Sequence, residues 1–366
     1  MVCLVEVGVV DCDRRKIKGV LVREYSAVYK VLWYIMASVL RELVKNLLQI
    51  APNGICLWVL FPIYSVECAM FGFLGINKPP AMTSRSVVNV VQRLVKPHKV
   101  GHAGTLDPLA TGVLIVAVGK ATRLMQHVHT LSKTYRGTFQ LGMRSDTEDI
   151  EGEIQTVENV RQPSQEEIQA VVADFQGTQS QQPPVFSALK IKGQRAYSLA
   201  RQGKSVKLEP RAITIHRIEL IKYSYPFFTV DVQCSTGTYI RSLGRDIGDR
   251  LECGAIMTEL ERTAIGSLTV EQCSELDFAD VQSVQQALRN PLELLNNVET
   301  MPVTTAQIGE LGFGREIELD AQQQGQLESH EVFAVNANGR LVAILSPVET
   351  AAVGMVRMRP IRVFDC

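Results

Sequence analysis

Apolar residues at Val87, Val88, Val91, Leu94 and Val95 recur three and four positions apart. That period predicts a helix with one buried face, capped at Thr83-Ser84 and ended by Pro97. Before it, Phe71 to Lys78 reads as a short strand leading into a Pro79-Pro80 turn. After it, the run Gly101 to Gly112 has no period and is expected to be a loop, followed by the unbroken apolar strand Val113 to Val118. Lys133 to Leu141 alternates, with Tyr135, Gly137 and Phe139 in one phase, as a further strand does. Ser164 to Phe175 has helical spacing with Glu166 and Glu167 in its first turn, where they favour the helix dipole. Gln179 to Gly203 turns from Gln- and Pro-rich to basic and aromatic, which suggests a protruding loop and helix. Phe227 to Cys234 alternates as a strand and delivers Ser235 to Arg241 into a helix through Leu243, Ile247 and Leu251. From about Met301 the chain reads as strands with short loops. Strands and helices in no regular β-α-β order predict an α+β fold with a largely antiparallel sheet.

The first 69 residues differ from the rest. They hold both Trp and four of the eight Cys, and their apolar residues keep no steady period. Asn46 to Val66 carries no formal charge over 21 residues, but Pro52, Asn53, Gly54 and Pro62 interrupt it, and no membrane span is expected. We read 1–69 as an N-terminal extension, with Met70 as the functional start, 70–298 as the main domain and 299–366 as a small β-rich C-terminal domain. No Cys pair has C-x-x-C spacing and His is rare, so the thiols are expected to be free in a reducing cytoplasm, with no metal site. Gly-x-Gly-x-x-Gly, P-loop and Gly-x-Ser-x-Gly patterns are absent. No cofactor is therefore expected, and no obligate protein partner is evident from the sequence.

Charge changes this picture. The chain is formally neutral, yet the 78 residues from Cys68 to Ser145 hold ten Lys and Arg and a single acidic residue, Asp107. The block suits a polyanion. A lone carboxylate repels phosphate, so its presence there points to catalysis on a polyanion, against the plainer reading of a turn Asp before Pro. Asp107 is ionised at neutral pH and can act as nucleophile or base without activation. Arg241, where a strand turns into a helix, is the candidate partner, and its charge is expected to pull the Asp107 pKa down. Tyr135 lies between Lys133 and Arg136, an arrangement that suits a base stacked on the ring and phosphates on the cations, and that a sheet-core Tyr would also show. His102 could bond a nucleotide or a nearby carbonyl. The acidic residues Asp146 to Glu153 read as a solvated turn.

Five segments occur in one order: Asn77-Lys78-Pro79-Pro80-Ala81-Met82-Thr83-Ser84, Gly101-His102-Ala103-Gly104-Thr105-Leu106-Asp107-Pro108-Leu109-Ala110-Thr111-Gly112, Lys133-Thr134-Tyr135, Ser187-Ala188-Leu189-Lys190 and Gly237-Thr238-Tyr239-Ile240-Arg241. In these the chain resembles the bacterial tRNA pseudouridine(55) synthases of the TruB type, over roughly Phe71 to Gly266. The resemblance implies a pseudouridine-synthase-like sheet and the isomerisation of a T-loop uridine in tRNA by base flipping, with no cofactor. It implies Asp107 as nucleophile, Tyr135 stacked on the uracil and assisting proton removal, and Arg241 paired with Asp107. On the substrate side it places His102, Tyr239, Leu260, Lys78 and Lys190, with Lys78 supporting the catalytic loop and Phe186 to Arg201 closing on the RNA. The family usually has Gly where this chain has Ala81, so a turn of positive φ there would be strained. The C-terminal region is net acidic, with five Arg against eight Asp and Glu from Met301 on, which argues against an extended RNA contact. A non-catalytic RNA-binding module or tRNA chaperone, and a synthase acting on ribosomal RNA, are the alternatives.

Overall fold

The structure, a computed structural model, describes residues 70–366 except 188, 192, 204–207, 296, 320–330, 349–355 and 365–366. The expected extension 1–69 and its uncharged stretch lie outside the described residues. Strands β1 (Gly72–Lys78), β2 (Val100–Ala103), β3 (Thr111–Val118) and β4 (Lys133–Leu141) come first, then the small pair β5 (Met143–Ser145) and β6 (Ile154–Thr156). They are followed by β7 (Gly177–Gln181), the short ribbon β8 (Lys190–Ile191) and β9 (Gln194–Arg195), β10 (Arg211–Ser224), β11 (Phe227–Cys234), β12 (Ala255–Ile265) and β13 (Leu268–Thr269). Helices α1 (Ser84–Leu94), α2 (Met125–Thr130), α3 (Gln165–Ala173), α4 (Ala196–Ala200) and α5 (Ile240–Arg250) lie between them. The main sheet runs β1-β3-β12-β4-β11-β10-β7, with β2 on β3 and β13 on β12. Every pair in it is antiparallel except β3 with β12, which meet in parallel at Thr111 and Gly112.

α1 forms where its period places it. The Thr83 hydroxyl accepts from Ser86 N at 3.0 Å, and Val87, Val88 and Val91 are buried against Leu74, Ile76, Leu114 and Val116. Each such valine contributes roughly 1.5–3 kcal/mol of apolar burial. The opposite face leaves Arg85 and Arg93 exposed. α3 opens on a capping box, with Ser164 and Glu167 each bonding the other's backbone N–H.

Two expectations need correcting here. The run from Gly101 to Gly112 is not loop throughout: Val100–Ala103 and Thr111–Val118 pair as a hairpin, so only Gly104 to Ala110 leaves the sheet. Its glycines hide that pairing from a reading of hydrophobic pattern. The C-terminal region is also not all strand. After α6 (Val281–Ala287) and α7 (Pro291–Leu294), the Thr304–Gln307 capping box starts α8 (Thr305–Gly312). Around it β14 (Thr300–Pro302), β15 (Ile317–Glu318), β16 (Val332–Val335), β17 (Leu341–Val348) and β18 (Arg357–Val363) form a second sheet, ordered β14-β16-β17-β18-β15. Phe333, Leu341, Ile344 and Phe364 of this part share a core with Phe73, Ala103, Val113 and Ile115.

Ala81 adopts φ 58°, the left-handed conformation that a residue with a Cβ resists. Ala81→Gly is therefore expected to leave stability unchanged or raise it by up to ~1 kcal/mol, whereas Ala→Gly normally costs stability. Chemical denaturation of both forms checks this, and a loss above ~1 kcal/mol would mean the turn carries no strain.

Candidate active site

Asp107 sits on the hairpin connection Gly104 to Ala110. The strands around it explain the position. β3 pairs with β2 along Ile115 to Val118 and with β12 at Thr111 and Gly112, so the connection leaves the sheet where one neighbour gives way to the other. Gly112 makes the second pairing possible: a Cβ there would lie 2.3 Å from the Arg262 carbonyl oxygen.

Buried side chains hold three alternate carbonyls of this connection. Arg262, 1% exposed, donates from Nη2 to Gly104 O at 3.0 Å and from Nε to Val113 O at 2.7 Å. The Ser84 hydroxyl donates to Leu106 O at 3.1 Å and accepts from Leu106 N at 2.8 Å. Lys78 Nζ donates to Pro108 O at 3.2 Å, Met82 O at 2.6 Å and Pro79 O at 2.9 Å. Leu106 and Ala110 point into the core at 3% and 0% exposure. The loop is thus clamped on both sides of Asp107, and the carboxylate is presented by a backbone with little freedom.

Lys78 is 0% exposed, which corrects the expectation that it contacts substrate. Its ammonium holds the carbonyl of the residue after Asp107 and two carbonyls of the turn before α1. Burial lowers its pKa to about 8, with Asp107 pulling the other way.

Arg241, second residue of α5, reaches Asp107 with Nε–Oδ2 at 3.0 Å and Nη2–Oδ1 at 3.4 Å. The same guanidinium lies 3.5 Å from Asp149 Oδ2 and donates to Thr147 O at 2.9 Å and Phe186 O at 3.0 Å. Its side chain is 8% exposed, that of Asp149 3%, and that of Asp107 35%. Asp107 is therefore the open end of a three-membered charge cluster. Its pKa lies above the ordinary aspartate value because burial outweighs Arg241, and Asp149 adds repulsion. This reverses the expected direction, because burial penalises the carboxylate more than the Arg241 charge favours it.

Asp149 was missed at the level of sequence. The Asp146 to Glu153 segment reads as a solvated turn, yet Asp149 is buried, accepting from the Thr147 hydroxyl at 2.6 Å and Glu151 N at 3.0 Å. The one available signal was that acidic residues resume directly after the block that excludes them. Arg262 was missed as well, since a lone Arg within an alternating strand reads as exposed. It pairs in register with Tyr135 of β4, and its Cζ lies 5.9 Å from the Tyr135 ring centroid.

Tyr135 is half-buried on the sheet and packs against the core cluster holding Leu106, Ala110 and Leu260. Burial pushes its phenol pKa up, and Arg262 opposes that. Its neighbours do not offer free cations. Lys133 is 6% exposed and donates to His129 O and Leu131 O, while Arg136 pairs with Asp231 at 2.9 Å. Leu260 is 8% exposed and lies opposite Gly137. Tyr239 caps α5, and Gln181 holds its backbone by reciprocal bonds of 2.8 and 3.0 Å. His102 sits on β2 with a buried Nδ1 that has no hydrogen-bond partner. The Lys190 backbone belongs to β8, in the segment whose root, Phe186, Arg241 holds. Among the described residues no group of His, Cys, Asp and Glu could hold a metal ion, and no helix is long and apolar enough to cross a membrane. Cys234, Cys253 and Cys273 are free thiols.

Residues 92–240 match the model for the TruB family pseudouridylate synthase (N terminal domain), and residues 241–301 match the tRNA pseudouridylate synthase B C-terminal domain. The chain is 41% identical over 285 residues to tRNA pseudouridine synthase B of Dehalococcoides mccartyi (strain ATCC BAA-2100 / JCM 16839 / KCTC 5957 / BAV1), covering 76% of this chain and 93% of that protein. It is 38% identical to the protein of the same name from Syntrophobacter fumaroxidans, covering 75% and 93%. Among solved structures, one titled "Structure of H/ACA RNP bound to a substrate RNA containing 2'-deoxyuridine" matches with TM-score 0.61 at 22% identity, covering 82% of this chain and 87% of that one. A Cbf5-Nop10-Gar1 complex matches with TM-score 0.60 at 24% identity, covering 82% and 86%. At those identities the likeness is one of fold. The matched family models and the relatives define a pseudouridine synthase, an isomerase. Within that class the chain belongs to the TruB family of pseudouridylate synthases.

Proposed function

We propose that the protein isomerises a uridine in the T-arm of tRNA to pseudouridine, with Asp107 as nucleophile. The observation that carries this reading is one partly exposed carboxylate, clamped by its backbone and paired to a buried guanidinium, within an otherwise acid-free basic block. In the reaction the N1–C1′ bond of the uridine breaks, the uracil turns, and a C5–C1′ bond forms. C5 loses a proton and N1 gains one. No electron is transferred, so the chain's own side chains suffice. As nucleophile, Asp107 forms a bond to the substrate that holds it while N1–C1′ is broken, and that bond breaks again once C5–C1′ has formed, so the carboxylate is regenerated; Arg241 keeps it ionised and aimed. Tyr135 offers a ring face to the extruded base, replacing stacking lost in the RNA, which costs a few kcal/mol. Tyr239 and Leu260 wall the pocket, and the 186–201 segment with Lys190 closes over the RNA. Residues 70–298 carry the reaction, with 299–366 as a small appended domain.

The test is tritium release from unmodified tRNA labelled at uracil C5, with mapping of the modified position. Binding without release would favour a chaperone, and release only from ribosomal RNA fragments would move the substrate. The same assay has a pH signature. The rate at saturating tRNA is expected to fall as pH drops through the Asp107 pKa, with the midpoint above the ordinary value of 3.8. A limb at or below that value would show that burial does not govern this carboxyl.

A further inference from the structure

The turn from Asp146 to Asp149 offers two acceptors to one nitrogen of Arg241. Nη1 donates to Thr147 O at 2.9 Å and lies 3.5 Å from Asp149 Oδ2, while Nε and Nη2 face Asp107. Whatever fixes that turn therefore fixes how the guanidinium is aimed. Between the two acceptors stands Glu148. Its φ is 64°, a left-handed backbone that a residue with a Cβ resists. Such a conformation persists where surrounding contacts over-determine it.

Those contacts are present. Glu148 N donates to Ser145 O at 3.2 Å, and Met257 N of β12 donates to Glu148 O at 3.0 Å. The side chain is 11% exposed and runs to α5, where its carboxylate accepts from the Ser242 hydroxyl at 2.6 Å and from Arg245 Nη1. Ser242 follows Arg241 directly and Arg245 lies about one helical turn beyond it, so both donors ride on the helix that carries Arg241. Thr147 and Asp149 meet α5 through Arg241; Glu148 meets it through two other donors. Arg245 Nη2 also donates to Asp246 Oδ1 at 2.7 Å and to Gln182 O at 3.0 Å.

We propose that Glu148 is a positioning residue: through Ser242 and Arg245 it fixes the Thr147–Asp149 turn against α5 and so keeps the Arg241 guanidinium aimed at Asp107. The inference rests on the reading of Asp107 as nucleophile. Reach matters here more than charge. Arg245 keeps Asp246 as a counter-charge, and the Ser242 hydroxyl can accept from an amide as well as donate to a carboxylate.

Three substitutions in the full chain test this with unmodified tRNA labelled at uracil C5. Glu148→Gln keeps the reach without the charge, and kcat should stay within about three-fold of the parent. Glu148→Asp keeps the charge but stops one carbon short of both donors. Its kcat should fall about ten-fold or more, because a small misplacement of a positioning group costs rate steeply. Glu148→Ala should fall at least as far. KM should remain within about two-fold in all three, since Glu148 acts through Arg241 and not on the RNA. Equal kcat for the Gln and Asp variants, or a loss carried by KM, overturns the proposal. A second readout needs no turnover. In urea denaturation the stability losses of Glu148→Ala and Arg241→Ala should be less than additive in the double variant, because both release the same turn. Additive losses overturn the proposal. A parent that releases no tritium overturns the proposed reaction, and the denaturation cycle then still decides whether Glu148 and Arg241 act as one unit.

Discussion

Asp107→Asn is expected to lower tritium release by at least ~10³-fold while tRNA binding stays within about two-fold of the parent. The amide fills nearly the same space, and the carbonyls of Gly104, Leu106 and Pro108 remain held by Arg262, Ser84 and Lys78. What disappears is the ability to form a bond with a transferring carbon. No phosphate contact is lost, because Asp107 repels phosphate. The stability effect runs the other way from the activity effect. A carboxyl whose folded pKa is raised binds its proton more tightly when folded. Its ionised form therefore costs stability above that pKa, and the cost vanishes as pH falls below the ordinary value of 3.8. Asn removes this penalty, so the variant's melting temperature at neutral pH should equal or exceed the parent's. Retention of a tenth of the parent's turnover would remove Asp107 from the nucleophile's role.

Arg241→Ala is expected to lose both activity and stability. Truncation leaves Asp149, whose side chain is 3% exposed, without the guanidinium, and removes donors from Thr147 O and Phe186 O. Stranding a buried charge costs about 3–5 kcal/mol. The more exposed Asp107 adds less, because water screens it. A fall of roughly 5–10 °C in melting temperature follows. Arg241→Lys should recover part of the stability, since it restores one positive charge beside the two carboxylates. It should recover little turnover, since it cannot address both carboxylates and two carbonyls from one plane. An unchanged melting temperature in Arg241→Ala would show that the three charges are not a coupled buried cluster.

These expectations show how far residue order alone can be read. α1 was legible because its apolar period, cap and Pro stop agree, and the alternation of β4 and β11 was legible for the same reason. Asp107 stood out because nothing else in its block is acidic, and Arg241 because it lies where a strand turns into a helix, with Gly237 and Tyr239 beside it. Asp149 was not legible: its neighbours Asp146, Glu151 and Glu153 make it look solvated, and it is buried only in the tertiary structure, where its backbone bridges to Met257 of β12 and Arg241 lies 3.5 Å from its carboxylate. Arg262 was hidden by its strand. A guanidinium at 1% exposure is stable there only because carbonyls from Gly104 and Val113, far away in the chain, converge on it.

By itself the order of residues determined α1, β1, β3, β4 and β11, where positive charge gathers, and which carboxylate stands alone in it. Those properties depend on neighbours a few positions apart. Tertiary structure alone decided how that carboxylate behaves. The pairing of β3 with β2 and then β12 sets the loop at a gap in the sheet, and the docking of α5 makes Arg241 serve Asp107 and Asp149 together. Burial then raises the Asp107 pKa although an arginine lies beside it. The reason is physical: desolvation and Coulomb energies depend on distances between groups far apart in the chain, and no local pattern encodes those distances.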